Sequence, residues 1–214
     1  MMKFSSISEW KEYCFSNHKA YLKNKYFMGW ISHKKVDIFD SSSLKKDEVR
    51  KIKKSIANAL KLCSKGFSVR LSRKTNMNFA IKNGCIDGTK VLKTVKSSRR
   101  GKYSASIFLA SQKPKSGKII LKFGDALTYV SEGVTIFTFD PYVKYPKKFF
   151  NGVIAHEIYH LLGLNSHHFD TKVKGYGKLP ECIMEYNAPS ERLCRKCKDG
   201  LLSFWEGIRH ATKN

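Results

Sequence analysis

The run His156-Glu157-Ile158-Tyr159-His160-Leu161-Leu162-Gly163 constrains the fold of this chain more than any other feature. Two histidines four positions apart lie on one face of a helix, so both imidazoles can reach one metal ion. Glu157 projects close enough to that metal to take a proton from its bound water. Gly163 lets the helix end and the chain turn back, which can deliver a third imidazole. The run therefore predicts a zinc hydrolase site on a helix, and the bond that it would hydrolyse is a peptide bond.

Length and composition are those of one folded domain. The chain has 214 residues, of which 42% are apolar and 13% aromatic. No apolar run reaches the ~20 residues that cross a bilayer, so we expect no membrane partner. The first six residues lack the apolar core and cleavage site of a secretory signal, which favours a cytoplasmic location.

The net charge of the chain is +24, from 41 Lys and Arg against 17 Asp and Glu. Such an excess predicts attraction to polyanions and makes nucleic acid a candidate partner. The alternative is a solvated lysine surface that reflects composition alone.

Apolar spacing predicts an α+β fold in which strands and helices alternate. Strands are expected at 36–39, 67–71, 103–110, 118–123 and 134–139, and helices at 7–30, 49–63, 146–162 and 191–211. Residues 74–102, rich in Asn, Gly and basic side chains, are expected to be irregular or a hairpin. The order predicts a twisted mixed sheet backed by two helices, one of which carries the histidine pair.

Six cysteines are present, and their spacing indicates what they do. Cys14, Cys63 and Cys85 are isolated, and Cys63 falls on the apolar stripe of a helix, as a core residue would. Three others crowd into the last third of the chain, at 182, 194 and 197. In a cytoplasmic protein the Cys-x-x-Cys spacing favours metal binding over a disulfide.

These motifs together resemble those of the metzincin metalloproteases, whose pattern is H-E-x-x-H-x-x-G-x-x-H followed by a Met-turn. More closely, they resemble the archaemetzincins, in which a Cys-x-Met and a later Cys-x-x-Cys build a second zinc site. The matching residues are Cys182-Ile183-Met184 and Cys194-Arg195-Lys196-Cys197, and the runs 123–126 and 134–137 also resemble the last strands before the active helix. The resemblance covers about residues 118–205.

The resemblance implies a metzincin-type two-lobed domain that spans 1–214. The upper, sheet-bearing lobe would comprise 1–163, and the smaller lower lobe would comprise 164–214 with its structural zinc. It also implies that Met184 forms the Met-turn beneath the imidazoles. Tyr186 would help to stabilise the oxyanion.

Two departures from the family pattern affect the ligand sets. Three residues instead of two follow Gly163, so Ser166 occupies the standard third position and His167 arrives one place late. His167 is the first choice for the third catalytic ligand, with His168 as its competitor. His168 also stands where the family has a Cys. The structural zinc is therefore assigned to His168, Cys182, Cys194 and Cys197.

Alternatives remain open for both sites. Cys85 could replace His168 as the fourth ligand, or the three late cysteines could pack without metal. An acidic third catalytic ligand, Glu181 or Glu185, would place the chain in another class of zinc peptidase.

Two functions are compatible with these patterns. The first is an active zinc endo- or aminopeptidase in which Glu157 activates a zinc-bound water to hydrolyse a peptide or protein substrate. The second is a nucleic-acid-associated zinc-binding protein with weak or no peptidase activity. The two could also combine in a protease that acts on proteins bound to nucleic acid. In the peptidase, the substrate strand would pair with a sheet edge within about 118–131.

Overall fold

The computed structural model describes residues 1–63, 66–72, 77–97, 103–116, 119–120, 126–164, 167, 170–185 and 190–213. The helices in these ranges are α1 Ile7–Asn17, α2 Lys19–Leu22, α3 Lys25–His33, α4 Lys46–Lys61, α5 Gly88–Ser97, α6 Lys147–Leu161 and α7 Arg195–Lys213. The strands are β1 Met2–Phe4, β2 Lys35–Asp40, β3 Ser68–Ser72, β4 Ile81–Lys82, β5 Cys85–Asp87, β6 Ala105–Ala110, β7 Lys113–Ser116, β8 Ile119–Ile120, β9 Ala126–Tyr129, β10 Val134–Thr138 and β11 Thr171–Val173.

A five-stranded mixed sheet forms the centre of the fold, in the order β3-β2-β6-β10-β9. The first four strands run parallel, and β9 pairs antiparallel with β10 at one edge. The edge strand thus falls within the range 118–131 expected from the sequence. Two smaller sheets, β4-β5-β7-β8 and β1-β11, complete the strand pairing of the described residues.

Apolar side chains cover both faces of the central sheet. In β6 the side chains of Ile107 and Leu109 belong to one buried cluster, and those of Phe108 and Ala110 to another. All six residues of β6 are buried. A central parallel strand that is covered on both sides shows this continuous apolar character.

Helix α4 lies against α6 on the larger of these two clusters. Glu48 accepts a hydrogen bond from the backbone N–H of Lys45 (2.9 Å), which closes the first turn of α4. Its apolar stripe is then fully buried at helical spacing, through Val49, Ile52, Ile56, Ala59 and Leu60. This is the helix predicted over 49–63, and Cys63 lies in the core beside it, only 5% exposed.

The expectation of an irregular or hairpin segment at 74–102 is wrong for residues 88–97, which form α5. Asp87 caps this helix by accepting hydrogen bonds from the backbone N–H groups of Thr89 and Lys90. Val91 and Val95 are buried against the second face of the sheet. The exposed lysines at 90, 93 and 96 interrupt the apolar pattern, so α5 is recognisable only from its packing.

The two ends of the chain meet. Strand β1 pairs in parallel with β11, and α1 packs along α7. Trp10 of α1 donates a buried hydrogen bond from Nε1 to the carbonyl of Lys196 in α7 (3.0 Å).

The α+β class is confirmed, whereas the division into lobes at residue 163 stays a prediction. In the described ranges no helix has both the length and the apolar character needed to span a membrane.

Candidate metal centres and active site

Helix α6 carries the histidine motif and is anchored by its apolar side. Pro146 precedes it with φ −69°, as is common at helix starts. Ile154, Ile158 and Leu161 are completely buried on the larger cluster. The helix predicted at 146–162 is observed at Lys147–Leu161, and its position in the core sets the direction of the histidine face.

The turn after α6 is closed by specific hydrogen bonds. Gly163 has φ +98°, and a Cβ there would lie 2.4 Å from a ring carbon of Phe204. The Leu164 N–H then donates to the carbonyl of Tyr159 (3.0 Å). Trp205 of α7 donates from Nε1 to the carbonyl of Leu162 (2.9 Å), which the helix itself leaves without a partner. These contacts determine where the chain returns toward the site.

The return brings a third histidine to the predicted pair. Ligand atoms of His156, His160 and His167 all lie within 4.8 Å of one another. The Nε2 atom of His160 is 3.0 Å from that of His156 and 3.4 Å from that of His167. Four nitrogen-type ligands at Zn–N distances of 2.0–2.1 Å in a tetrahedron are separated by about 3.3 Å. The spacing of the three imidazoles therefore fits one zinc ion.

Hydrogen bonds to the other ring nitrogens determine the tautomers. Nδ1 of His156 contacts the carbonyl of Ile183 (2.6 Å), and Nδ1 of His160 contacts the carbonyl of Leu164 (2.7 Å). A carbonyl oxygen only accepts, so each Nδ1 carries the proton and each Nε2 presents a lone pair. Two lone pairs at 3.0 Å repel each other unless a cation lies between them. The contact thus supports metal binding by these side chains.

The charge state of the histidines also suits a metal. Burial is the main cause that lowers the pKa of His160 to about 3, and the neighbouring His156 lowers it further. Burial likewise lowers the pKa of His167, whose Nδ1 lies 3.4 Å from the carboxylate of Asp170. Neutral imidazoles at neutral pH can donate their lone pairs to zinc.

Glu157 lies at the edge of this group, with 15% of its side chain exposed. Its Oε1 is 4.0 Å from Nε2 of His156. Its other oxygen, Oε2, accepts a hydrogen bond from the hydroxyl of Thr128 on β9 (2.7 Å). Nothing in the sequence points to Thr128, since strand alternation alone does not reveal which face of an edge strand meets α6.

A second group of converging ligand atoms consists of the thiols of Cys182, Cys194 and Cys197, all within 4.8 Å of one another. Cys194 immediately precedes α7, and Cys197 lies in its first turn. Cys182 is brought to them by the turn at 182–185, where the Glu185 N–H donates to the Cys182 carbonyl (3.1 Å). Thiolate ligands with this spacing are typical of structural zinc.

Backbone and thiol donors surround the sulfur of Cys182. It accepts hydrogen bonds from the backbone N–H groups of Cys194 (3.2 Å) and Met184 (3.5 Å). Hydrogen bonds from the thiols of Cys194 and Cys197, with these backbone donors, lower the pKa of Cys182. Hydrogen bonding to Cys182 raises the pKa of Cys197 in turn. A cluster that stabilises a buried thiolate suits a cation as its partner.

The other predicted site residues belong to neither group or fall outside the described part of the chain. His168 and Tyr186 are outside the described residues. Met184 is completely buried in the larger of the two apolar clusters. Glu185 accepts a hydrogen bond from the backbone N–H of Cys182 (3.2 Å). Among the described residues, the histidine group and the cysteine group include neither glutamate, Glu181 or Glu185, and do not include Cys85.

The chain is similar in fold to solved structures. No protein-family model matches the chain, and no curated protein matches it. Two solved structures do match. An archaemetzincin from Archaeoglobus fulgidus, complexed with malonate, is 13% identical with a TM-score of 0.56, covering 78% of this chain and 99% of that one. An archaemetzincin from Methanopyrus kandleri is 15% identical with a TM-score of 0.55, covering 82% and 95%. The chain therefore has the archaemetzincin fold.

Proposed function

We propose that this protein is a zinc metallopeptidase in which His156, His160 and His167 hold the metal and Glu157 is the general base. The observation that carries the proposal is the convergence of three Nε2 atoms, two of them made proton-free by Nδ1–carbonyl hydrogen bonds, next to the carboxylate of Glu157. Bound zinc would supply Lewis acidity, which lowers the pKa of a coordinated water and polarises the scissile carbonyl.

Glu157 would move the proton during hydrolysis. Its carboxylate faces the histidine nitrogens and is partly exposed, so it can accept a proton from the attacking water. It would then pass that proton to the leaving nitrogen. The predicted role of Tyr186 in stabilising the oxyanion rests on the family resemblance.

An extended peptide is the substrate class we propose. Strand β9 lies at the edge of the central sheet, next to α6. A substrate strand that paired with this edge would gain main-chain hydrogen bonds near Glu157. Such pairing depends little on side chains, so pockets beside the strand would supply the preference for particular residues.

We further propose that Cys182, Cys194 and Cys197 hold a second, structural zinc, with His168 as the fourth ligand. The support is the convergence of the three buried thiols at the start of α7. Met184 lies in the same turn as Cys182, which is consistent with the proposed Met-turn.

The test combines metal content with hydrolysis of a mixed peptide library by the purified protein. We expect two zinc ions per chain, and cleavage that a chelator abolishes and added zinc restores. Glu157→Gln should keep both ions and lose about 100- to 10,000-fold in kcat, since it removes only the base. His156→Ala should lose one ion. A zinc-loaded wild type that cleaves no peptide, or a Glu157→Gln variant with full activity, would refute the proposal.

Nucleic-acid association is the second candidate function, and the exposed side of α4 favours it. The exposed basic residues of this helix are Lys46, Arg50, Lys51, Lys53, Lys54 and Lys61. Its acidic residues, Asp47 and Glu48, both lie in the first turn. Clustered cations of this kind neutralise phosphates and release counterions.

Labelled duplex DNA and single-stranded RNA would test this second function at two salt concentrations. Binding should weaken about 1,000-fold or more between roughly 50 and 200 mM salt if six or more phosphates are contacted. Replacing Lys51, Lys53 and Lys54 by Gln should weaken it further. The matched control replaces three exposed lysines of α1 and α2 and the turn that follows, Lys11, Lys19 and Lys23. Equal loss in both triple variants would indicate an effect of total charge without a site on α4.

A further inference from the structure

The hydroxyl of Thr128 makes direct contact with the candidate general base. Thr128 lies in β9, and its Oγ1 is 2.7 Å from Oε2 of Glu157 in α6. The contact joins the edge strand, where we place the substrate, to the helix that carries the metal ligands. It is short enough for a charge-assisted hydrogen bond.

The strand register directs this hydroxyl to α6. Thr128 pairs with Thr135 of β10, and neighbouring residues Leu127 and Tyr129 pack on the opposite face of the sheet, against the cluster that includes α5. Alternate residues of a strand point to opposite faces, so Thr128 and Thr135 both face α6. This placement follows from the pairing and does not depend on a flexible side chain.

The direction of the hydrogen bond to Glu157 is also determined. A carboxylate only accepts, so Thr128 donates to Glu157. The oxygen of Thr128 also lies 3.3 Å from Oγ1 of Thr135, which is completely buried. A hydroxyl has one proton, so the shorter contact, 2.7 Å to Oε2 of Glu157, is the hydrogen bond in which we place it.

The two oxygens of Glu157 thereby have different environments. Oε2 is held by Thr128, whereas Oε1 lies 4.0 Å from Nε2 of His156, on the side of the three imidazoles. Fixing one oxygen restricts rotation about the bond that carries the carboxylate. It leaves the other oxygen on the side of the three imidazoles, where the proposed general base has to act.

We propose that Thr128 is a positioning residue for the general base Glu157, acting through this hydrogen bond. The inference rests on the proposed peptidase function. Loss of the bond would let the carboxylate rotate among conformers, only some of which can accept the proton. Since misplacement of a catalytic group by about 1 Å can cost roughly 100-fold in rate, the effect should fall on kcat.

Thr128→Val removes the donor with nearly unchanged volume, and Thr128→Ser keeps the donor without the methyl group. With zinc loading verified, we expect Thr128→Val to lower kcat about 10- to 100-fold with little change in KM. Thr128→Ser should remain within about threefold of the wild type, because its hydroxyl can still donate. Thr128→Val placed in a Glu157→Gln background should cause little further loss, since the base that Thr128 positions is then absent.

A readout without activity completes the test. In the metal-free protein, the unfolding equilibrium constants of Thr128→Val, Glu157→Ala and the double variant can be compared. The change in the double variant should differ from the product of the two single changes by at least about tenfold, as for a hydrogen bond to a charged group. Multiplicative effects, or a Thr128→Val variant with wild-type kcat, would overturn the inference while leaving the peptidase intact. If the zinc-loaded wild type hydrolyses nothing, the proposed function fails and this inference fails with it.

Discussion

Nδ1 of His156 lies 2.6 Å from the carbonyl oxygen of Ile183, the residue between Cys182 and Met184. The Ile183 N–H in turn donates to the carbonyl of Arg192 (2.8 Å). One peptide segment therefore orients an imidazole of the histidine group and carries a thiol of the cysteine group. Because groups that orient metal ligands affect metal affinity, the two groups should be thermodynamically linked.

This linkage predicts the behaviour of a variant in the cysteine group. Cys194→Ser should release the zinc of that group and also weaken zinc binding by the histidines about 10- to 100-fold, because the 182–185 turn loses its anchor. Competition with a chromogenic chelator would measure both sites. In the reverse direction, His160→Ala should empty the histidine group and weaken zinc binding by the cysteine group by the same factor, because linkage is reciprocal. If the histidines of Cys194→Ser bound zinc with unchanged affinity, Ile183 would be held in place without the metal of the cysteine group.

Metal removal should expose a specific set of thiols. With zinc bound, Cys182, Cys194 and Cys197 should resist iodoacetamide, and chelation should make this group reactive, beginning with Cys182, whose pKa its neighbours lower. Burial raises the pKa of Cys14 to about 12, so at pH 8 only about one part in ten thousand is thiolate and it should stay unmodified. Peptide mass mapping with and without chelator measures this. Identical labelling in both samples would favour packed cysteines without metal.

Gly163→Ala should destabilise the protein for two separable reasons. The φ of +98° is strained for alanine, and the new Cβ would collide with Phe204. Together we expect a loss of about 2–4 kcal/mol in the free energy of unfolding. Gly84 is the matched control, since its φ is +71° but nothing lies within 4 Å of a Cβ there. Urea titrations should show a smaller loss for Gly84→Ala; equal losses would mean that the Phe204 ring moves aside easily.

Trp205→Phe should cost about 1–3 kcal/mol in the free energy of unfolding, because the buried carbonyl of Leu162 loses its donor. Trp10→Phe removes a similar buried hydrogen bond, to the carbonyl of Lys196 in α7, and leaves the one to Leu162 in place. Both variants should lose comparable stability. Only Trp205→Phe should weaken zinc binding by the histidines, since it loosens the turn from which Leu164 orients His160. Equal zinc affinity in the two variants would contradict this role of the turn.

The elements recognised from the sequence are those with strong local patterns. The apolar stripe from Val49 to Leu60 predicted α4, and the His156–Gly163 run predicted the end of α6 and two of its converging imidazoles. The Cys194–Cys197 spacing predicted two thiols that do meet. In these cases three or four residues of helix place the groups together, so the information is local.

Helix α5 and the role of Thr128 are not predictable from the sequence, for the opposite reason. The lysines around Val91 and Val95 hid a short apolar stripe that only the second face of the sheet makes meaningful. Thr128 is one of eight threonines in the sequence, and nothing near it along the chain distinguishes it. Its proximity to Glu157 depends on the antiparallel register of β9 with β10 and on the packing of α6 across that edge.

By itself the sequence determined the chemistry of the candidate sites: the residue types, the helical spacing of His156 and His160, and the late cysteines. Only the tertiary structure decided the arrangement around them. It brought His167 back through the turn at Gly163, paired Ile183 with His156, and placed Thr128 against Glu157. The physical reason is that ligand spacing within one helix is a property of the backbone. Contacts between residues distant along the chain depend instead on how the buried faces pack and on which strands pair.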